Sequence, residues 1–228
     1  VIKIWNQPEE KHNYLMFCDV SRGRGQDYST FTVIDVSVNP FVQVCTYRDN
    51  MMSPLLFPDL IYKYATYYNE CYVVIESNDA GQVVCNGLYY DLEYENVFVE
   101  SMIKANAIGV AMTRKIKRIG CSNIKDIMQQ QKLIINDEET IREMSTFIAK
   151  GSSYQADNQS HDDLMMNLVM FGWFASTPFF VESTDIEMKH MLYKEKVKQL
   201  EDEVIPVGNM PSKEEIHPFG DGWQTWRA

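Results

Sequence analysis

Three apolar runs in this 228-residue chain end or begin on acids, and that pattern limits the folds open to it. Tyr14, Leu15, Met16, Phe17 and Cys18 stop at Asp19, and Tyr72, Val73, Val74 and Ile75 stop at Glu76. Asp162 and Asp163, preceded by His161, open an apolar stretch over 164–175. A short unbroken apolar run reads as a strand buried on both faces, which requires other layers above and below the sheet. A carboxylate at the tip of such a strand sits at the rim of a core, where its charge still reaches water. Three such rims meeting at one place would make an all-oxygen cage for hard divalent cations. That is the equipment of two-metal phosphodiester hydrolysis, in which ions ~3.5–4 Å apart clamp the attacking and leaving oxygens.

The first third reads as a β-meander, with strands over 15–20, 30–36 and 42–47. A turn over 21–27 with two glycines and a turn at Asn39 and Pro40 join them. Ser53 followed by Pro54 predicts a helix start, running to about Asn69. The run 72–75 predicts a central strand, followed by a helix over 79–90 capped by Asn78 or Asp79, and a short strand over 97–99. Ser122 is expected to cap a helix over 123–131. A strand over 132–135 and a helix over 137–149 come next, the latter with acids at its start where the helix dipole favours them. Residues 151–160 are polar and loop-like, and a strong helix is expected over 162–175. Beyond Pro178 the pattern predicts a charged helix over 185–203 and an extended tail. The order implies an α/β fold, a mixed β-sheet flanked by helices on both faces. The expected core is 1–180, with 181–228 as a C-terminal helix and extended tail packed on or beside it.

With 45% apolar and 12% aromatic residues the chain can fill such a core. No run approaches ~18 apolar residues, so no membrane-spanning helix is expected. The first residues lack the features of a signal peptide and an initiator Met, which suggests an unsecreted fragment or processed chain. The five cysteines are an odd number with no CxxC, and read as reduced core residues rather than zinc ligands. A net charge of −11 weighs against a surface that binds nucleic acid everywhere. Residues 101–125 nevertheless contain no Asp or Glu and carry Lys104, Arg114, Lys115, Lys117, Arg118 and Lys125. That strip is either a seat for a phosphate backbone or a solvated helix face.

Longer segments carry a resemblance. They are Cys18 through Ser29, the stretch from Ser53 to Pro58, the run from Ala65 to Glu70 leading into Glu76, and His161-Asp162-Asp163-Leu164. Arg118 to Asn123 and Phe171-Gly172-Trp173 add to it. Together they resemble the nuclease domain of the large terminase subunit of T-even-type tailed phages, within the ribonuclease-H-like superfamily. The resemblance implies a metal-dependent DNA endonuclease that cuts concatemeric viral DNA during genome packaging with little sequence preference. It implies that Asp19, Glu76 and the helix-opening acid hold two Mg²⁺ or Mn²⁺ ions. Asp162 and Asp163 both remain candidates for that acid, Asp163 ahead.

The partners implied are double-stranded DNA, a packaging ATPase domain of the same full-length polypeptide, the portal and the small terminase subunit, in the cytoplasm of an infected bacterium. No GxxxxGK[ST] loop occurs, so the resemblance is to the nuclease half alone. Asp27, beyond the glycine turn, approaches the metals or is a plain turn acid. His161 ligates, orients the acid or touches phosphate, or else packs at the helix start. Arg22 and Arg24 contact DNA or are ordinary surface arginines, and Asp79 reads as a helix cap. Two other functions fit the same residues: a Holliday-junction resolvase or integrase relative, and a non-catalytic module docking the packaging motor to the portal.

Overall fold

The computed structural model describes residues 1–100, 108–150, 153–157 and 160–180. The helix expected over 185–203, the tail after it and Lys104 lie outside the described residues.

Strands β1 (Ile2–Ile4), β2 (Tyr14–Asp19), β3 (Ser29–Asp35), β4 (Phe41–Asp49), β5 (Tyr72–Ile75) and β6 (Leu133–Ile134) form one mixed sheet. Its order is β1-β4-β3-β2-β5, and β6 pairs with β4. The meander is antiparallel, whereas β5 lies parallel to β2 and β6 parallel to β4. Alternation along the strands sorts two cores. Met16, Cys18, Val73 and Ile75 face one, with Phe57 and Ile61 of helix α1 (Phe57–Tyr67) and Val84 of helix α2 (Gly81–Asn86). Leu15, Phe17 and Val74 face the other, which is filled by helix α5 (Asp163–Phe174). A π-helical turn, Gly87–Asp91, extends α2.

Every residue of α5 except Trp173 is buried. A helix apolar all round needs cover on all sides. The sheet covers one side of α5, and helix α3 (Arg114–Gln129) covers another. Gly120 and Gly172 sit at that crossing, where a Cβ on either would meet the opposite helix: the Val169 backbone from Gly120, Gly120 O and Ile124 N from Gly172. Helix α4 (Glu138–Thr146) runs into a hairpin of β7 (Phe147–Lys150) and β8 (Ser153–Ala156). Cys18, Cys45, Cys71 and Cys85 are buried and Cys121 is half-buried, and none of the five is in a disulfide.

Several elements depart from the sequence expectation. Helix α1 begins at Phe57, because Ser53 O accepts from both Leu56 N and Phe57 N in a turn, and Pro58 takes the first helical turn instead of Pro54. Helix α3 begins nine residues before Asn123, capped by Thr113, whose hydroxyl accepts from Ile116 N. Helix α4 stops at Thr146, and residues expected as helix end and loop form the β7–β8 hairpin. Asp79 caps nothing. Its carboxylate accepts from Arg22 Nε and Nη2 at 2.6 and 2.7 Å, and α2 starts after Ala80 with no side-chain cap.

Candidate active site

Register and parity bring the acids together. Cys18 pairs with Ile75 across the parallel strands β2 and β5. Asp19 and Glu76 therefore follow side by side at the same height, and Glu76 N donates to Cys18 O at 2.9 Å. Neighbouring strands lie about 4.8 Å apart. Asp19 shares the parity of Leu15 and Phe17, and Glu76 that of Val74, so both rise on the α5 side of the sheet. Asp163 opens α5 on that side. Thr30 joins the two parts: it is the β3 partner of Asp19, and its hydroxyl donates to Asp163 O at 3.2 Å.

These three acids, with Asp162 and Asp27, line one cleft of 590 Å³. Arg22, Arg24, Arg114 and Lys117 line it too, as do Gln26, Met112 and Thr113, which sequence reasoning did not single out. Lys117 Nζ lies 3.7 Å from Asp162 Oδ2. Asn78 Nδ2 donates to Glu76 Oε1 at 3.0 Å and to Met112 O at 3.1 Å, tying the acid to the chain that leads into α3. His161 Nδ1 stands 3.7 Å from Asp163 Oδ2, its ring edge-on to Tyr28. Lys115, Arg118 and Lys125 are exposed on α3 and are not part of the cleft lining.

Burial and crowding of like charges keep the acids from ionising freely. Desolvation, then Glu76, Asp163 and Asp162, hold the Asp19 carboxyl well above its ordinary range. Desolvation also raises Glu76, against the pull of Lys117 and Asn78. Asp163 is pushed up to about 7 by desolvation first and by the nearby Glu143 second. Among the described residues, no three His, Cys, Asp or Glu side chains form a ready-made ion cage. The donor set still suits a hard cation. It is carboxylate oxygen held together against its own repulsion, and Asp163 Oδ2 is buried without a hydrogen-bond partner.

A mixed sheet with acids on adjacent strand tips, crossed by a buried helix that opens on a third acid, defines a ribonuclease-H-like nuclease fold. The same architecture is found in the large terminase nuclease of thermophilic phage G20c with bound magnesium, at a TM-score of 0.62 and 20% identity. That likeness covers 75% of this chain and 86% of the other. The large terminase nuclease domain of Thermus phage P74-26 gives 0.56 at 21% identity over 74% and 83%. The large terminase of a further thermophilic bacteriophage gives 0.51 at 15% identity over 72% of this chain and 40% of its own length. The family's sequence model matches residues 16–171, and the chain belongs to the terminase RNaseH-like domain family.

Proposed function

We propose that this chain is a DNA endonuclease that cuts concatemeric viral DNA during genome packaging. In this reading Asp19, Glu76 and Asp163, with Asp162 beside them, hold two Mg²⁺ or Mn²⁺ ions. The observation that carries it is the level pairing of Asp19 and Glu76 on adjacent strand ends, facing the helix that Asp163 opens. Family membership supplies the packaging context, and the similar G20c nuclease carries magnesium. When bound, such ions supply Lewis-acid activation of the phosphoryl group and of an attacking water.

The chain's own residues would do the rest. Asp19, Glu76 and Asp163, each disfavoured as a free carboxylate, would be stabilised in the ionised form by a cation among them. Lys117 and Arg114 from α3, and Arg24 from the β2–β3 turn, offer the cleft cations that a phosphate backbone needs. Arg22 joins them once released from Asp79. Contacts of this kind place a duplex without reading bases, so cutting has little sequence preference. An ATPase domain on the same polypeptide, the portal and the small terminase subunit as partners, and the cytoplasm of an infected bacterium as location belong to the same proposal.

Digestion of plasmid and linear duplex by purified protein tests it. Cutting is expected with Mg²⁺ or Mn²⁺, and none with EDTA or with a folded Asp19→Asn variant. Cleavage by that variant at the parent rate would refute the site. A marked preference for branched DNA would point to a resolvase instead. A melting temperature unmoved by Mn²⁺ would point to a docking module.

A further inference from the structure

Helix α5 is capped from outside itself, and we infer that Glu143 is a positioning residue for the acids that open it. The inference rests on the metal-dependent nuclease reading above. An Asp at an N-cap ordinarily turns its carboxylate back to accept from the N–H of the second or third helical residue. Asp162 holds that position and makes no such bond. Glu143 of α4 takes over. Its Oε2 accepts from the N–H groups of Leu164 and Met165 at 2.7 and 3.0 Å, the second and third residues of α5.

The carboxylate of Glu143 is itself buried beside a cation. It is 5% exposed, and its other oxygen lies 3.3 Å from Arg48 Nη2. The Arg48 guanidinium in turn sits 3.6 Å over the Tyr28 ring. With the helix end served from α4, the Asp162 carboxylate stays turned outward: its Oδ2 accepts from Ala156 N of β8 at 3.3 Å and lies 3.7 Å from Lys117 Nζ, and the side chain lines the cleft wall with Asp163. Without Glu143 two N–H groups would be stranded in a buried place, and Asp162, already at the cap, is the acceptor placed to fold back onto them. Its carboxylate would then leave the cleft, and the first turn of α5, including Asp163, would shift with it.

The test compares Glu143→Met, which fills similar space without an acceptor, with Glu143→Gln, which keeps a carbonyl for both N–H groups. Mn²⁺ binding to DNA-free protein is measured by calorimetry where circular dichroism shows each variant folded. The Met variant should bind Mn²⁺ about 10- to 100-fold more weakly, as outer-shell losses do, and the Gln variant should stay within about threefold of the parent. Parental affinity in the Met variant would overturn the inference. Equal weakening in both variants would also overturn it, by showing that the charge and not the cap matters.

Amide exchange at Leu164 and Met165 in the parent protein is a second measurement that needs no variant. Strong protection is expected, and rapid exchange would overturn the cap whatever the variants do. Failure of the nuclease reading itself looks different: the parent and Asp19→Asn would then bind Mn²⁺ equally poorly.

Discussion

Thr30→Val probes the joint between the two halves of the site. Thr30 is fully buried in β3, beside Asp19 on the next strand. Its hydroxyl donates to Asp163 O at 3.2 Å and accepts from Asn167 Nδ2 at 3.0 Å. Valine keeps the shape and removes both bonds. A buried polar group left unpaired costs about 1–3 kcal/mol. Asn167 retains a longer bond to Thr32 Oγ1 at 3.3 Å, and a carbonyl has a second lone pair, so each loss falls at the low end. The sum is about 2–3 kcal/mol, or roughly 5–10 °C in melting temperature for a domain of this size. Urea unfolding followed by circular dichroism measures it, with the midpoint moving and the slope unchanged. Thr30→Ser, which keeps the hydroxyl, should recover most of the loss. A Val variant within about 0.5 kcal/mol of the parent, the range of an ordinary surface substitution, would refute the reasoning.

Three further outcomes follow from the structure. In metal-free protein Asp163 is raised from 3.8 to about 7, so the folded state holds a proton that the unfolded state gives up, and stability should fall as pH rises through that interval. His12, raised by its 2.8 Å bond to Asp35, adds stability that is complete below 6.5 and lost as pH climbs through its folded value. Melting curves against pH should flatten separately in Asp163→Asn and His12→Gln, and unchanged profiles would contradict both assignments. Lys117→Met, measured by duplex-binding anisotropy in the Asp19→Asn background, should lower the salt slope by about 0.9, whereas Lys125→Met, outside the cleft lining, should not. Gly120→Ala should gain about 1 kcal/mol of helix propensity but lose more by collision with the Val169 backbone, for a net loss of about 1–2 kcal/mol by denaturant titration.

The sheet and its acids were legible because their signals are local. Four apolar residues bounded by Glu76 read as a buried strand, and β5 has the bounds read from the sequence, but it ends the order β1-β4-β3-β2-β5 instead of lying at its centre. The apolar stretch after Asp163 likewise announced a buried helix. What stayed hidden depends on partners far along the chain. Strand β1 is three residues long and exists by pairing with β4. Ser122 reads as a helix start, yet it lies inside α3, and Gly120 precedes it within the same helix because α5 approaches there too closely for a side chain. Glu143 looks like one more acid on a charged helix, and its burial shows only when α5 is laid against α4. Asp79 had the look of a cap, but Arg22, 57 residues away, claims it.

The parallel pairing of β2 with β5 has an evolutionary corollary. The two strands are joined through β3, β4 and α1, not through a tight hairpin. Insertions in those connections leave the height match at Cys18 and Ile75 untouched. Gain or loss of a single residue inside either strand would send one carboxylate to the α1 side of the sheet. Length variation in this lineage should therefore accumulate between the strands and be purged within them.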